Sequence, residues 1–408
     1  MTDTTSAAGP APAPVVPSPV IPSIAEALAN AVAAGHTVGA VALVADRDGV
    51  LHSSAHGRRA ADDDAPMTVD TVFRLFSMTK AIGTVAALRM AEQGRLDLDA
   101  PVADLVPALS GARVFAGMVD GAPAFRAPAT PVTARHLATH TSGLVYDQWH
   151  AGQAALTAHM REAGTASARI EDVALQFDPG TEWGYGQSTD WLGMAAEAAA
   201  GRPIRELLAD EILGPLGMTA TDVIFRDDMQ PRAAFHVPAK SGGGFARFDI
   251  DGPADAPPPA FHGMGGCMKG SGPDYIRFLR MILRGGELDG ARILAPETVR
   301  LMMENGIGDL RVRPMATTDP NRSADLALFP GVEQTFTLGF LRVEEDVEGR
   351  RRAGSVGWAG LLNTHFWIDP ARGLCAVLMM QQAPFLSADA MAVYDAFERA
   401  VCAHADAA

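Results

Sequence analysis

Strand-like segments lie near both ends of this 408-residue sequence, and mainly helical patterns fill the long middle part. Residues 38–45 and 50–56 are rich in small and β-branched side chains, and Asp48-Gly49 between them is a strong hairpin signal. Four more strand patterns follow residue 330, at 335–344, 352–357, 364–369 and 374–381. This distribution predicts an α+β fold. One antiparallel sheet, flanked by helices, is built from both chain ends, and a mostly helical domain is inserted between them.

Changes in composition divide the chain further. Residues 1–22 contain six prolines among Ala, Ser and Thr, which is typical of a flexible tail. We expect residues 23–105 and 285–408 to form a discontinuous α/β sheet domain. Residues 106–284 then form the inserted helical domain, and the active site lies between the two.

The composition argues against several classes of partner. The formal net charge is −15, whereas nucleic acids and anionic membranes attract proteins through basic patches. No apolar run approaches the roughly 18 residues that a membrane-spanning helix needs. Cys267, Cys375 and Cys402 form no C-x-x-C pair, so neither a disulfide framework nor a zinc site is indicated. Because residues 1–22 lack the basic and apolar regions of a secretory signal, we expect a cytoplasmic protein.

Ser77-Met78-Thr79-Lys80 is the sharpest chemical signal in the sequence. A helix predicted over residues 77–93 places positions i and i+3 on one face, so Lys80 can reach the Ser77 hydroxyl. A serine hydroxyl becomes a good nucleophile when a neighbouring group takes its proton. Burial near a helix N-terminus is expected to disfavour the charged form of Lys80, which would help it share that proton.

Signatures of other hydrolases are missing from the sequence. No serine lies in G-x-S-x-G, and there is no H-E-x-x-H, so a nucleophile elbow and a zinc protease helix are not indicated. The histidines show no metal-ligand spacing. A Ser-His-Asp triad stays open, because triads assemble in space rather than in sequence.

Residues 73–80, Phe-Arg-Leu-Phe-Ser-Met-Thr-Lys, resemble the first motif of the serine β-lactamase and penicillin-binding-protein superfamily. More narrowly, the sequence resembles the class C-like branch that includes the family VIII carboxylesterases. Residues 94–102, 135–144 and 215–218 also follow the pattern of that branch. The resemblance covers nearly the whole chain after residue 23. It implies a β-lactamase-like fold and a covalent acyl-enzyme on Ser77.

Two further motifs of the family are altered here. Tyr185 falls at the tyrosine of a Tyr-x-Asn motif, where the resemblance implies a base that works with Lys80. Gln187 replaces the asparagine that contacts the amide side chain of β-lactams. Trp358, in Gly357-Trp358-Ala359-Gly360, stands where β-lactamases carry Lys-Thr-Gly, and this form resembles the family VIII esterases. Since indole supplies an apolar wall and one N–H donor but no cation, esters without a carboxylate are expected to fit better than penicillins.

The resemblance also implies an oxyanion hole, which needs two N–H groups aimed at the developing alkoxide. The backbone N–H groups of Ser77 and Leu361 are the implied donors. Gly360 is expected to let the strand edge approach the substrate. The segments 236–263 and 305–333 match no motif and are expected to shape the pocket.

These residues predict a serine carboxylesterase that hydrolyses short-chain esters. Ser77 is the nucleophile, and Lys80 with Tyr185 handles its proton. The expected partner is a small-molecule ester, and no metal or organic cofactor is expected. Three alternatives stay open: a β-lactamase or D-amino-acid peptidase, an acyltransferase of the same fold, and a catalytically silent penicillin-recognising module.

Overall fold

The computed structural model describes residues 19–164, 174–240, 242–250 and 261–407. In this part of the chain the helices are α1 (Pro22–Ala33), α2 (Thr79–Glu92), α3 (Ala134–Ala138), α4 (Ala151–Glu162), α5 (Ser188–Ala200), α6 (Ile204–Leu208), α7 (Gly272–Leu283), α8 (Pro296–Met303) and α9 (Ala388–Ala407). Among the described residues, no helix is both long enough and apolar enough to cross a membrane.

The strands are short in the middle of the chain and longer near its ends. They are β1 (Gly39–Asp46), β2 (Val50–Ala60), β3 (Asp63–Pro66), β4 (Val72–Arg74), β5 (Arg113–Val119), β6 (Ala122–Arg126), β7 (Ala174–Leu175), β8 (Phe235–Pro238), β9 (Phe245–Phe248), β10 (Lys269–Ser271), β11 (Glu287–Leu288), β12 (Ala291–Arg292), β13 (Gln334–Phe336), β14 (Leu341–Val343), β15 (Val356–Gly360), β16 (Thr364–Asp369) and β17 (Leu374–Met379).

Eight strands form one sheet in the order β13-β14-β15-β16-β17-β1-β2-β3, and every neighbouring pair is antiparallel. β1 and β17 come from opposite ends of the chain and pair directly, so that Val41 lies opposite Met379. The segments between β3 and β13 contain most of the helices, with smaller sheets among them. The predicted fold class, an α+β fold with a sheet built from both chain ends, is confirmed.

Both faces of this sheet are buried, each under its own core. Side chains alternate between the two faces along each strand. In β1, Val41 and Leu43 belong to the larger core that also contains residues of α2 and α7. Ala42 and Val44 point to the other face, into a smaller core under α1 and α9. Burial on both faces explains why residues 38–45 read as an almost continuous apolar run.

Three predicted elements differ from the structure. The strand predicted at 352–357 is observed as β15, which begins four residues later, at Val356. Residues 335–344 were expected as one strand, but they form β13 and β14, joined by a tight turn in which Gly339 has a φ of 100°. That conformation is open to glycine and closed to most other residues. Within the irregular segment 236–263, part of the chain forms the hairpin of β8 and β9.

The packing also bears on the predicted boundaries. Residues 1–18 of the predicted tail lie outside the described residues. Residues 19–22 are part of the fold, since Pro22 begins α1 and the Pro19 carbonyl accepts a hydrogen bond from the Ser53 N–H at 2.9 Å. The predicted boundary at residue 284 places α7 in the inserted helical domain. In the structure α7 packs against β1 and β17 of the large sheet. This packing favours a boundary before Gly272, and the other boundaries stay predictions.

His52 on β2 ties the N-terminal segment to the sheet. Its Nδ1 accepts the backbone N–H of Ile21 at 2.9 Å, and its Nε2 lies 2.8 Å from Ser54 Oγ. A backbone N–H can only donate, so the buried ring is neutral with an unprotonated Nδ1. Burial lowers the pKa of His52 to about 4, and the nearby His56 and His404 act in the same direction.

We expect His52 to make folding less favourable as pH falls from about 6.5 to about 4. The unfolded chain, with an ordinary histidine pKa, takes up the proton first, so the stability present above pH 6.5 is lost towards the folded-state pKa. His52→Asn keeps an acceptor for Ile21 but does not titrate. Between about pH 7.5 and about pH 4.5, its free energy of unfolding in urea should fall about 2 kcal/mol less than that of the wild type. Equal losses in the two proteins would contradict this role.

Candidate active site

Ser77 lies in a 3-10 turn, Phe76–Met78, between β4 and α2. The helix that the sequence predicts from Ser77 therefore begins two residues later, at Thr79. Phe76 has a φ of 44°, which is rare for a residue with a side chain and costs of order 1–3 kcal/mol. The turn places Ser77 at the wall of a cavity rather than inside the helix.

The Lys80 side chain is 2% exposed, and three acceptors surround its Nζ. Nζ lies 3.2 Å from Ser77 Oγ, 3.2 Å from the Tyr146 hydroxyl and 2.7 Å from the Gly265 carbonyl oxygen. An ammonium group has three N–H donors, whereas a neutral amine has two, so this environment fits the charged form. The predicted contact between Ser77 and Lys80 is present in the structure.

The charge state of Lys80 differs from the sequence expectation. Burial by itself lowers the pKa of Lys80, as the sequence argument assumed, but Tyr146, Tyr185 and Asp190 more than offset it. Together they hold the pKa of Lys80 above its usual range. The sequence argument paired Lys80 with Tyr185 but lacked Tyr146 and Asp190, which come from other segments. Lys80 is therefore a cation in the resting site.

Asp190 on α5 fixes one of the three acceptors. Its Oδ1 accepts the Gly265 N–H at 2.7 Å, and the Gly265 carbonyl in turn accepts from Lys80. A Cβ at position 265 would lie 2.5 Å from Asp190 Oδ2, so only glycine allows the loop to come this close. Burial raises the pKa of Asp190, and Lys80 and the Gly265 N–H oppose that shift. Asp190 thus positions the Gly265 carbonyl and contributes negative charge near Lys80.

Tyr185 lies next to Lys80, but the contact is through its ring. Lys80 Nζ is 4.9 Å from the Tyr185 ring centroid. The Tyr185 hydroxyl oxygen accepts the indole N–H of Trp358 at 3.0 Å, and the two ring centroids are 4.7 Å apart. Tyr185 is therefore held at its ring by Lys80 and at its oxygen by the Trp358 indole.

A second tyrosine, Tyr146, makes the direct hydrogen bond to Lys80. The Tyr146 backbone N–H donates to the Tyr185 carbonyl at 3.1 Å, which holds the two tyrosine segments together. Burial raises the pKa of Tyr146, although Lys80 opposes the shift, so Tyr146 is a neutral phenol. His140 supports the same region, since its Nδ1 accepts the Gly186 N–H at 3.4 Å and burial keeps its pKa well below the usual value.

A cavity of about 250 Å³ opens in front of Ser77. Its walls include Tyr185, Trp358, Leu361, Trp149 and Phe385. The structure therefore brings Ser77, Tyr185, Trp358 and Leu361 to one cavity, as the sequence predicts. Ser77 and Leu361, the implied oxyanion donors, both line it.

Two predicted site residues lie elsewhere. Gly360 packs against the nucleophile turn, where a Cβ would lie 2.3 Å from the Leu75 carbonyl oxygen. It therefore lets β15 approach that turn, and its expected approach to a substrate stays a prediction. Gln187 is exposed at the N-cap of α5, outside the lining of the cavity. It stands apart from the residues that could contact a small substrate.

Sequence analysis did not single out Tyr146, Asp190 or Arg322, all of which line the cavity. Tyr146 left a usable signal, because the chain has only four tyrosines and this one directly follows the motif at 135–144. Asp190 and Arg322 belong to no recognised motif. Arg322 also changes an expectation, since the site was expected to lack a cation for a substrate carboxylate. No group of three or more metal-ligating side chains occurs in the described ranges.

The fold and this site define a class of enzymes, the serine hydrolases and acyltransferases with a β-lactamase-like fold. The family model Beta-lactamase matches residues 24–400, and the chain belongs to this family. The resemblance to the serine β-lactamase and penicillin-binding-protein superfamily is confirmed.

Named relatives include both acyltransferases and an esterase. Monacolin J acid methylbutanoyltransferase from Aspergillus terreus is 32% identical over 402 residues, 92% of this chain and 94% of that protein. Lovastatin esterase from Penicillium rubens is 29% identical over 385 residues, 89% of this chain and 93% of that protein. A solved structure of simvastatin synthase from A. terreus, the LovD6 mutant, has a TM-score of 0.80 and 29% identity, covering 94% of this chain and 95% of that one.

Proposed function

We propose that the protein is a serine carboxylesterase, similar to family VIII esterases, that hydrolyses short-chain carboxylic esters through an acyl-enzyme on Ser77. The observation that supports this most directly is the contact of 3.2 Å between Ser77 Oγ and the Lys80 ammonium at the wall of the cavity. The cavity, at about 250 Å³, is smaller than pockets for drug-sized ligands, which begin at roughly 300 Å³. Its size and its aromatic walls favour a short acyl group.

In the proposed reaction, Ser77 Oγ attacks the ester carbonyl carbon while the phenolate of Tyr185 takes the serine proton. The backbone N–H groups of Ser77 and Leu361 stabilise the alkoxide that develops. When the C–O bond to the alcohol breaks, Tyr185 returns the proton to the leaving oxygen. Water then attacks the acyl carbon while Tyr185 takes one of its protons. When the bond to Ser77 Oγ breaks, Tyr185 returns that proton to Oγ and the free acid leaves.

Lys80 and Trp358 support the base in this scheme. The Lys80 ammonium lies 4.9 Å from the Tyr185 ring centroid and the Trp358 N–H donates to the Tyr185 oxygen, so both contacts place positive potential beside the proposed proton acceptor. Tyr146 is the weaker candidate for the base, because burial raises its pKa. Its role in the scheme is to hold the Lys80 ammonium.

A second candidate function is acyl transfer from the acyl-enzyme to an alcohol instead of water. The acyltransferase at 32% identity favours it, and Tyr185 could deprotonate an alcohol as it does water. A nitrophenyl ester assay with added alcohols separates the two functions. Formation of the free acid supports hydrolysis. Formation of a new ester, with faster nitrophenol release, supports transfer.

The remaining alternatives are a β-lactamase or peptidase and a silent penicillin-recognising module. The paired Ser77 and Lys80 argue against a silent module, since a buried cation beside a serine is the arrangement that acylation uses. The Trp358 indole stands where β-lactamases carry a lysine, so β15 itself supplies no cation to a penicillin carboxylate.

Ser77→Ala is expected to abolish hydrolysis of a short nitrophenyl ester, because the lost hydroxyl forms the covalent intermediate. After treatment with a sulfonyl fluoride, peptide mass spectrometry should place the adduct on Ser77. The exposed Ser110 provides a matched control, and Ser110→Ala should keep both activity and adduct. An adduct on a different serine would exclude the proposed mechanism.

Tyr185→Phe and Lys80→Ala should each lower kcat by about a hundredfold or more, the range expected for loss of a general base. The double variant should be little worse than either single one, since the two groups act as one unit. Tyr146→Phe should lower kcat by about tenfold or less, because Lys80 keeps two of its three acceptors. Tyr394→Phe, a buried tyrosine near Arg351 and away from this cavity, is the control. If Tyr146→Phe shows the larger loss and Tyr185→Phe keeps its kcat, Tyr146 is the base.

A further inference from the structure

Arg322 brings a second cation to the Ser77 cavity, from the segment 305–333. Its side chain is 49% exposed, so this lining residue is also open to solvent. The ion pair that it makes is loose, with Arg322 Nη1 at 3.7 Å from Asp147 Oδ1. Asp147 is shared, because Arg161 Nη2 lies 3.7 Å from its other oxygen. One carboxylate between two arginines neutralises Arg322 only in part.

The backbone around Arg322 is fixed to the walls of the cavity. The Arg322 carbonyl accepts the Phe385 N–H at 3.0 Å, and Phe385 itself lines the cavity. Two residues further on, the Ala324 carbonyl accepts the indole N–H of Trp149, another wall residue, at 3.3 Å. The guanidinium is therefore attached to a well-anchored part of the segment.

The acidic residue in the cavity wall already has partners. Among the described residues that line the cavity, Asp190 is the acidic one, and it is held by the Gly265 N–H and lies in the field of Lys80. The remaining wall is largely aromatic, with Trp149, Trp358 and Phe385. Arg322 thus combines positive charge and partial exposure within a largely aromatic wall.

We infer that Arg322 binds a carboxylate of the substrate, so that this site selects esters that carry a free carboxylate beside the scissile bond. A guanidinium offers two parallel N–H groups to a carboxylate, and such a pair is stronger than the loose contact with Asp147. The inference rests on the proposed function and names its substrate class. In this role Arg322 takes the place of the cation that the family's Lys-Thr-Gly motif would have supplied from β15.

The test uses two matched pairs of nitrophenyl esters. One pair is 4-nitrophenyl hexanoate and the 4-nitrophenyl monoester of adipic acid, which differ by a carboxylate on the acyl group. The other is 4-nitrophenyl butyrate and 3-carboxy-4-nitrophenyl butyrate, which differ by a carboxylate on the leaving alcohol. For each pair the readout is the ratio of kcat/KM, carboxylated over neutral, after subtraction of uncatalysed hydrolysis.

Arg322→Gln should lower this ratio about 10- to 100-fold for at least one pair, the effect expected for one lost charge-assisted contact. Arg322→Lys should restore part of it. Arg161→Gln removes the other partner of Asp147 outside the cavity wall, and its ratios should stay within about twofold of the wild type. Unchanged ratios in Arg322→Gln, or equal changes in Arg161→Gln, would overturn the inference.

A binding measurement separates this inference from the proposed function. Calorimetry on Ser77→Ala, with and without Arg322→Gln, compares the affinity for monomethyl adipate with that for methyl hexanoate. A loss of about tenfold or more confined to monomethyl adipate supports the carboxylate site even if the wild type hydrolyses none of the esters. In that case the proposed function fails and the inference survives. Equal losses for both ligands reject the inference while ester hydrolysis by the wild type stands.

Discussion

The buried ammonium of Lys80 is the interaction on which the rest of the site depends. Removing a charge from water is expensive unless partners replace the water, and here three acceptors do so. They come from three separate places in the chain: the turn of Ser77, the segment of Tyr146 and the loop of Gly265. If any one of them moved away, one N–H group of the buried ammonium would lose its acceptor. Lys80 therefore holds these segments and the nucleophile turn in one arrangement.

The hydroxyl groups of the two tyrosines have different partners in this arrangement. Tyr146 uses its hydroxyl to satisfy the ammonium, and burial keeps it neutral. The oxygen of Tyr185 instead accepts the Trp358 N–H. In the proposed scheme the indole at the position of the family's lysine therefore has a role of its own, as a donor to the proposed base. In the inferred carboxylate site the positive charge comes from Arg322, which lies in the segment 305–333 and makes no contact with Lys80 among those described.

Local and periodic features of the structure were predictable from the sequence. The hairpin of β1 and β2, and β16, follow from β-branched patterns and turn residues, and the joining of both chain ends in one sheet follows from the position of the strands. The split of residues 335–344 depends on one positive φ at Gly339, which the apolar pattern conceals. The charge of Lys80 was predicted wrongly because it depends on Asp190 and Tyr146, whose proximity only the folded chain creates. Gln187 was placed by motif alone, and the local turn directs it to solvent.

The charge state of Lys80 is the central claim, and nitrogen NMR can read it directly. The chain has only three lysines, so the Nζ signals of Lys80, Lys240 and Lys269 are few enough to assign by substitution. We predict that the Lys80 signal remains that of an ammonium as pH rises past about 10.4, the ordinary lysine pKa. Asp190→Asn, which keeps an acceptor for Gly265 and removes the negative charge, should lower the pKa of Lys80. A Lys80 signal that is already that of a neutral amine near pH 7 would contradict the account and make lysine the base.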